Sequence, residues 1–164
     1  MTTSIDRLAD RLAIVDTVVA YATAVDARDW ESFAGLFTAD AVWEYRAGGE
    51  RRIGPEDIVA RVRGVEKFDA TQHYVTNHVI RMDGDEATHT CYYEARHLRG
   101  GRQFVAGGRY EDRLRRTGAG PSHGENEPRR STSGWLIAER VLVNVWSEGD
   151  PSILSEADSS PARE

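Results

Sequence analysis

The chain has 164 residues, a formal net charge of -6 and a single cysteine, Cys91. This length suits one domain that closes around a ligand-sized cavity, and a single thiol excludes an internal disulfide. The basic residues are dispersed, and no apolar run is typical of a secretion signal or a bilayer span, so we expect neither nucleic acid nor a membrane as a partner. We therefore expect a cytoplasmic, soluble protein that acts on a small molecule.

The first segment has the apolar periodicity of a long α-helix, predicted over residues 5–27 with Ser4 as its N-cap. Its core-facing stripe is predicted as Leu8, Leu12, Val15, Val19 and Ala22. Asp26 occupies the next position of that stripe. A carboxylate on a buried face needs a hydrogen-bonding or charged partner, because burying it alone costs on the order of several kcal/mol. Alternatively, Asp26 lies at a frayed helix end or caps the next helix, in contact with water.

Shorter elements follow this helix. Apolar residues at helical spacing predict a second helix over residues 30–37. A strand is predicted over residues 41–45, and a short antiparallel strand follows it over residues 51–53. Pro55 stops the returning strand and fits the first turn of a third helix, predicted over residues 56–65.

Four longer strands are predicted in the second half of the chain, over residues 71–82, 87–98, 103–115 and 134–146. Turns that contain glycine join the first three of them as hairpins. The connection to the last strand, over residues 117–133, is a long polar loop, and we interpret its His123 as solvated.

Helices that precede a long antiparallel sheet indicate the α+β class. We expect the sheet to bend strongly around the long N-terminal helix and to enclose a conical pocket. One domain is predicted over residues 1–148, and residues 149–164 are predicted to form a polar, flexible tail.

The five histidines do not have the spacing of a metal site. His73 and His78 lie an odd number of positions apart on one strand and should face opposite sides of the sheet, whereas His89 and His97 are far apart along one face. A metal site would have to be assembled across strands. Serine-nucleophile and phosphate-loop motifs are also absent from the sequence. We therefore expect no metal and no cofactor.

General acid–base chemistry remains, and His73 is its best candidate. An alternating strand would place His73 on a mixed face that suits a pocket wall, together with Thr71, Val75, Asn77 and Val79. If that face is turned to the first helix, Asp26 would hold one ring nitrogen of His73 as a donor and leave the other as a base. The alternative is a core histidine bonded to backbone.

Several stretches occur in a characteristic order: Asp6-Arg-Leu-Ala-Asp10, Val25-Asp26, Gln72-His73-Tyr-Val-Thr-Asn-His78 and Gly108-Arg-Tyr-Glu-Asp112. Their order and spacing resemble the SnoaL-like branch of the nuclear transport factor 2-like superfamily, which includes hexachlorocyclohexane dehydrochlorinase, scytalone dehydratase and bile-acid 7α-dehydratase. The resemblance covers residues 5–147. It implies a cone-shaped, cystatin-like barrel with a mostly antiparallel sheet, assembled as homo-oligomers, either dimers or trimers.

The resemblance also implies roles for individual residues. It makes Asp26 and His73 a dyad in which His73 abstracts a proton, and it places Arg140 in the pocket. Tyr21 stands where the dehydrochlorinase has a lysine that helps receive chloride, so this chain resembles instead the dehydratases that use phenols. His97 falls near a second histidine of scytalone dehydratase.

Simpler interpretations of these residues stay open. Tyr21 would be a core residue that continues Ile14 and Val18. Because Tyr21 lies about 140° around an ideal helix from Asp26, either the helix end is distorted or the two side chains approach the cavity from its flanks. Arg140 would be an exposed or salt-bridged strand residue, and His97 a histidine at a strand end.

We predict a cofactor-independent lyase, with dehydration as the favoured reaction, acting on a hydrophobic cyclic or polyketide-like substrate. Tyr21 or Arg140 would stabilise the developing oxyanion or the leaving hydroxyl. Trp43 and Tyr93 would form walls of the pocket or the core, and Asn77 would contribute to substrate binding. The alternatives are a ketosteroid-isomerase-like isomerase or polyketide cyclase, and a non-catalytic module that binds a small molecule.

Overall fold

The computed structural model describes residues 3–117 and 134–155. Its helices are α1 (Ser4–Ala27), α2 (Trp30–Ala34) and α3 (Pro55–Val62), with short 3-10 helices over Arg46–Gly48, Arg63–Lys67 and Pro151–Leu154. Its strands are β1 (Phe37–Tyr45), β2 (Glu50–Ile53), β3 (Ala70–Asp83), β4 (Glu86–Arg99), β5 (Arg102–Arg116) and β6 (Trp135–Gly149). The predicted α+β class and order of elements are confirmed. His123 and the rest of the loop after Thr117 lie outside the described residues.

The six strands form one curled sheet in the order β2-β1-β6-β5-β4-β3. β1 pairs with β6 in parallel, and all other neighbours are antiparallel. The inner face of the sheet packs on α1, and the main core lies between them. Among the described helices, none combines the length and apolarity that a bilayer crossing requires.

α1 begins one residue earlier than predicted, because Thr3 rather than Ser4 is its N-cap. The Thr3 hydroxyl accepts from the amide of Asp6 at 3.1 Å, and the Asp6 carboxylate accepts from the amide of Thr3 at 2.8 Å. This reciprocal capping box gives partners to two amide groups at the start of the helix.

The buried face of α1 differs from the predicted stripe. Leu8 and Leu12 are each 58% exposed, and Val19 is 42% exposed. The core contacts come instead from a stripe rotated around the helix: Ile14, Val18, Tyr21 and Val25. Both sets repeat at helical spacing, so periodicity alone does not select the one that faces the sheet. The predicted stripe was wrong at Leu8, Leu12 and Val19 but right at Ala22, which is buried, and Tyr21 is a core-facing residue.

Asp10 anchors the first half of α1 to one end of the sheet. Its two carboxylate oxygens accept from Arg116 at 2.6 Å each, and Oδ1 also accepts the indole N–H of Trp135 at 3.1 Å. The Arg116 guanidinium lies 4.6 Å from the centre of the Trp135 ring. The bidentate pair and the cation–π contact fix the helix across β5 and β6.

The described part of the predicted tail packs against the barrel. β6 extends to Gly149, and Ile153 in the following 3-10 helix is completely buried. The ammonium group of Lys67 donates to the carbonyl of Leu154. Residues 149–155 therefore belong to the folded body, because the apolar side chain of Ile153 has a buried site there.

Candidate active site

A cavity of about 380 Å³ lies between α1, the inner face of the sheet and the 3-10 helix that follows α3. Seven of its lining residues carry Phe, Tyr or Trp side chains: Tyr21, Trp43, Tyr45, Phe68, Tyr93, Phe104 and Tyr110. Its other polar side chains are two histidines and two cations: His73, His97, Arg61 and Lys67. Within the described part of the chain, no acidic residue lines it. This composition suits a small, ring-containing apolar ligand.

His73 and Asp26 are in direct contact at the wall of this cavity. Nδ1 of His73 lies 2.7 Å from Oδ1 of Asp26, and the backbone amide of His73 donates to Oδ2 at 2.7 Å. Because an ionised carboxylate only accepts, Nδ1 carries the hydrogen and Nε2 keeps its lone pair. The side chain of His73 is only 9% exposed and lines the cavity, so its ring is largely shielded from bulk water.

Thr71 also bonds to the Asp26 carboxylate, and Arg28 bonds in turn to Thr71. The hydroxyl of Thr71 donates to Oδ1 of Asp26 at 2.9 Å and accepts from Nη1 of Arg28 at 2.6 Å. Arg28 is the C-cap of α1, with a φ of 59°, and its guanidinium also donates to the carbonyls of Val25 and Val65 at 2.9 and 3.2 Å. The cation compensates the negative end of the helix and orients Thr71 toward Asp26.

The Asp26 carboxyl stays ionised in this setting. Partial burial alone would raise its pKa, but the hydrogen bonds from the ring and amide of His73 and from Thr71 outweigh that effect and lower the pKa from its usual value. An ionised Asp26 can stabilise a positive charge on the His73 ring.

Tyr21 reaches the cavity directly, whereas Asp26 lies behind His73 and is not among the lining residues. The angle of about 140° between their positions on α1 is therefore no obstacle to both taking part in one site. The Tyr21 hydroxyl accepts the indole N–H of Trp43 at 3.2 Å. Burial raises the pKa of this phenol, and the charge of Arg140 opposes the shift without reversing it. Tyr21 thus keeps its proton at neutral pH and can donate to a ligand.

Arg140 does not line the cavity, contrary to the position that the resemblance implies. Its side chain is 0% exposed, and its guanidinium lies between the rings of Tyr21 and Tyr110, 4.1 and 4.2 Å from their centres. The physical reason is the bidentate pair with Asp112, at 2.8 Å from Nε and 2.7 Å from Nη2. Arg140 therefore contacts the rings of Tyr21 and Tyr110, which line the cavity, and is not itself part of the cavity wall.

A row of polar side chains crosses the inner face of the sheet on three adjacent strands. In the register, Arg140 is opposite Asp112 and Asp112 is opposite His89. Oδ2 of Asp112 lies 2.9 Å from Nδ1 of His89 in addition to its bonds from Arg140. Burial alone would raise the pKa of Asp112, but Arg140 and His89 keep it below its usual value. We call Arg140, Asp112 and His89 the buried charge row.

His97 lies near His73 in the cavity wall, with 5.9 Å between the two ring centres. Its ring packs on Phe68 at 4.7 Å, and its buried Nδ1 has no hydrogen-bond partner among the described residues. Burial, with the proximity of His73, lowers the pKa of His97 to about 4. The cavity therefore offers a second, neutral imidazole to a ligand.

Replacing His97 with leucine should make the stability of the protein less dependent on pH. The ordinary histidine pKa is 6.5, so between that pH and about 4 the unfolded chain binds a proton at His97 that the folded protein does not. The folded state consequently loses stability as the pH falls through this window. We expect the urea unfolding free energy to drop less from neutral to acidic pH in His97→Leu than in the wild type. Equal slopes would contradict a buried, neutral His97.

Asn77 is not part of the cavity wall, because a bulge interrupts β3 at this position. Asn77 and His78 together oppose the single residue Cys91 on β4. Asn77 takes a φ of 58°, and its side chain is exposed. The extra residue turns His78 to the inner face, so the prediction that His73 and His78 face opposite sides of the sheet was wrong.

Four candidate residues had no assigned role at the sequence level: Arg28, Asp112, Arg61 and Lys67. Arg28 had a recognisable signal, since a basic residue at a helix end can compensate the free carbonyls there. Asp112 lies in a short motif, but its partners depend on the register of three strands. Arg61 and Lys67 are brought to the cavity by the end of α3, where a 3-10 helix begins at Arg63 instead of the α-helix continuing to residue 65.

The sequence model of the SnoaL-like domain family matches residues 6–141. The uncharacterized protein Rv2910c of Mycobacterium tuberculosis is 32% identical in an alignment over 151 residues that covers 88% of this chain and 92% of that protein.

Three solved structures have the same fold at about 20% identity. A candidate scytalone dehydratase from Novosphingobium aromaticivorans has a TM-score of 0.75 at 19% identity, over 89% of this chain and 91% of that one. Hexachlorocyclohexane dehydrochlorinase LinA-type3 from Novosphingobium barchaimii has a TM-score of 0.71 at 19% identity, over 91% of this chain and 95% of that one. An NTF2-like protein with a cystatin-like fold from Novosphingobium aromaticivorans has a TM-score of 0.64 at 19% identity, over 94% of this chain and 97% of that one. The likeness establishes an NTF2-like, cystatin-like fold.

Proposed function

The chain belongs to the SnoaL-like domain family, and we propose that it is a cofactor-independent lyase that dehydrates a hydrophobic cyclic or polyketide-like substrate. The 2.7 Å contact between His73 Nδ1 and Asp26 Oδ1 carries the proposal, because it leaves Nε2 as a base beside an apolar cavity. The names of two structural neighbours, a candidate dehydratase and a dehydrochlorinase, support an elimination reaction.

In the proposed reaction, Nε2 of His73 removes a proton from the carbon next to a substrate carbonyl. The electron pair of the broken C–H bond forms a double bond through an enolate, and the C–O bond of a β-hydroxyl group breaks. The imidazolium, stabilised by Asp26, returns the proton to the departing hydroxyl, which leaves as water. The protein thus regains its starting protonation state after each turnover.

Tyr21 is the group that would stabilise the oxygen charge developing in this reaction. Its phenol lines the cavity, keeps its proton because burial raises its pKa, and is oriented by the indole of Trp43. The guanidinium of Arg140 lies 4.1 Å from the centre of the Tyr21 ring and makes the phenol a stronger donor by its positive charge. Arg140 is therefore a positioning residue in this proposal rather than a group that touches the substrate.

Replacing Tyr21 with phenylalanine should lower kcat by about 10²-fold or more, as the loss of one oxyanion donor does in other enzymes, with a smaller change in KM. The ring and its contacts with Phe33 and Arg140 are kept, so the fold should not change. The measurement is steady-state turnover on an identified substrate, with circular dichroism to compare the folded state. A kcat equal to that of the wild type would exclude Tyr21 from the chemistry.

Product analysis separates the reactions that the same dyad would support. Elimination removes one water from the substrate, isomerisation leaves its mass unchanged, and a binding module yields neither product nor exchange. Incubating cyclic β-hydroxyketones with the protein in D₂O, followed by mass spectrometry, measures both loss of water and deuterium incorporation. A ligand that binds in the cavity without either change would contradict the lyase proposal and favour a binding module.

Self-association as a dimer or trimer stays a prediction. It is supported by large apolar side chains exposed on the outer face of the sheet, namely Tyr74, Tyr92, Val145 and Trp146.

A further inference from the structure

Three metal-ligating side chains meet on the inner face of the sheet, outside the catalytic cavity. The donor atoms of His78, His89 and Cys91 all lie within 4.8 Å of one another. His89 and Cys91 are each 1% exposed, and His78 is half-buried, so one side of the cluster is open to solvent. None of the three lines the cavity that holds the Asp26–His73 pair.

The bulge in β3 creates this cluster. Without it, His78 would continue the alternation of β3 and face away from the inner side. The two-to-one pairing of Asn77 and His78 with Cys91 turns the His78 ring inward, and the left-handed backbone at Asn77 accommodates the extra residue. His89 then lies beside His78, with 3.0 Å between Nε2 of His89 and Nδ1 of His78.

Asp112 orients the ring of His89. The 2.9 Å contact between its Oδ2 and His89 Nδ1 places a hydrogen on Nδ1, so the lone pair of the neutral ring lies on Nε2. That lone pair points to Nδ1 of His78, so either a proton or a metal ion must lie between the two nitrogens. A carboxylate on the far nitrogen of a histidine is the outer-shell arrangement that metal-ligating histidines usually have.

We propose that Nδ1 of His78, Nε2 of His89 and Sγ of Cys91 bind one divalent ion of the Zn²⁺ class, with a fourth position open on the side of His78. Two imidazoles and a thiolate suit this class of ion rather than Mg²⁺ or Ca²⁺, which prefer oxygen ligands. Zn–N and Zn–S bonds of about 2.1 and 2.3 Å put the donor atoms of a tetrahedral site about 3.3–3.7 Å apart, which modest side-chain rotation would reach. Burial raises the pKa of the Cys91 thiol to about 12, so the ion must displace the thiol proton, which passes to water on the open side of the cluster at His78. Asp112 balances the nearby charge of Arg140.

The ion would join β3 to β4 directly beyond the bulge, where the strand pairing is interrupted. Its expected effect is therefore on stability rather than on the chemistry of the cavity. The proposed metal site does not depend on the proposed lyase activity, and the two proposals are tested independently.

The test is titration of tag-free protein with Zn²⁺ and, in parallel, with Co²⁺ as a spectroscopic probe. We expect one ion per chain, a rise in the melting temperature with Zn²⁺, and a thiolate-to-cobalt charge-transfer band in the near ultraviolet. Cys91 is the only cysteine of the chain, so that band can arise only at this cluster. Absence of the band in the wild type would overturn the proposal without reference to any variant.

Variants locate the ion. Cys91→Ser and His78→Gln should each weaken Zn²⁺ binding by more than the roughly 10- to 100-fold that loss of an outer-shell partner causes. His73→Gln, which changes a histidine of the same strand in the catalytic cavity, should bind Zn²⁺ as the wild type does. Unchanged affinity in Cys91→Ser, or loss of binding in His73→Gln alone, would overturn the site. If Cys91→Ser does not fold, Cys91→Ala replaces it, and the charge-transfer band of the wild type still decides.

Discussion

Replacing His73 with glutamine should lower kcat by about 10²- to 10⁴-fold, the usual contribution of a positioned general base. Glutamine can still bond to Asp26, but it has no titratable nitrogen in the place of Nε2. The loss should fall on kcat more than on KM, because His73 is one of many side chains that form the cavity wall. Turnover of an identified substrate measures the loss, and the rate of deuterium exchange into a candidate ketone measures the proton-abstraction step alone.

Asp26→Asn tests the same dyad from its other member. The asparagine amide would present a donor toward Nδ1, shift the ring hydrogen to Nε2 and so remove the base. Asp29→Asn is the matched control, since Asp29 is an exposed carboxylate three residues later that accepts from the amide of Ser32 at 3.0 Å and does not line the cavity. Full turnover in both His73→Gln and Asp26→Asn would contradict the dyad, whereas a loss in Asp29→Asn would point to general damage to the fold.

Local signals in the sequence were enough to predict most of the fold. The hairpin turns contain Gly84, Gly100 and Gly101, whose positive φ angles permit tight reversals, and the long strands lie close to their predicted bounds. The face of α1 was not predictable in the same way, because two apolar stripes compete. Only the contacts with the sheet decide that Ile14 is buried and Leu8 is exposed.

The candidate site also contains residues that the sequence predicts and residues whose positions depend on tertiary contacts. Asp26 and His73 could be paired from the sequence, because a partly buried carboxylate at a helix end needs a partner and a strand histidine can supply one, although the stripe that first placed Asp26 on the buried face proved to be largely exposed. Asp112 and His78 could not be placed, since their neighbours depend on strand register. A single bulge at Asn77 shifts the register and brings His78 to the inner face. Alternation rules fail at such a residue, and here the failure changes which side chains meet.

Asp112→Asn should destabilise the protein by about 3–5 kcal/mol, the usual cost of leaving a buried charge without its partner. Both members of the Arg140–Asp112 pair are 0% exposed, so water cannot replace the lost carboxylate. Urea denaturation at neutral pH measures the change. Glu86→Gln is the matched control, because the Arg113–Glu86 pair spans 3.4 Å with both side chains 60% exposed and should change stability little.

The pH dependence of this stability difference shows whether Asp112 stabilises the fold by its charge or by its shape. The folded-state pKa of Asp112 is lowered, so its contribution is complete above the ordinary aspartate pKa of about 4 and is lost as the pH falls through the lower, folded value. The difference in unfolding free energy between the wild type and Asp112→Asn should therefore stay constant from neutral pH to about pH 5. It should become smaller only in stronger acid. A gap that does not narrow in acid would mean that Asp112 stabilises the fold by its shape and hydrogen bonds, whatever its charge.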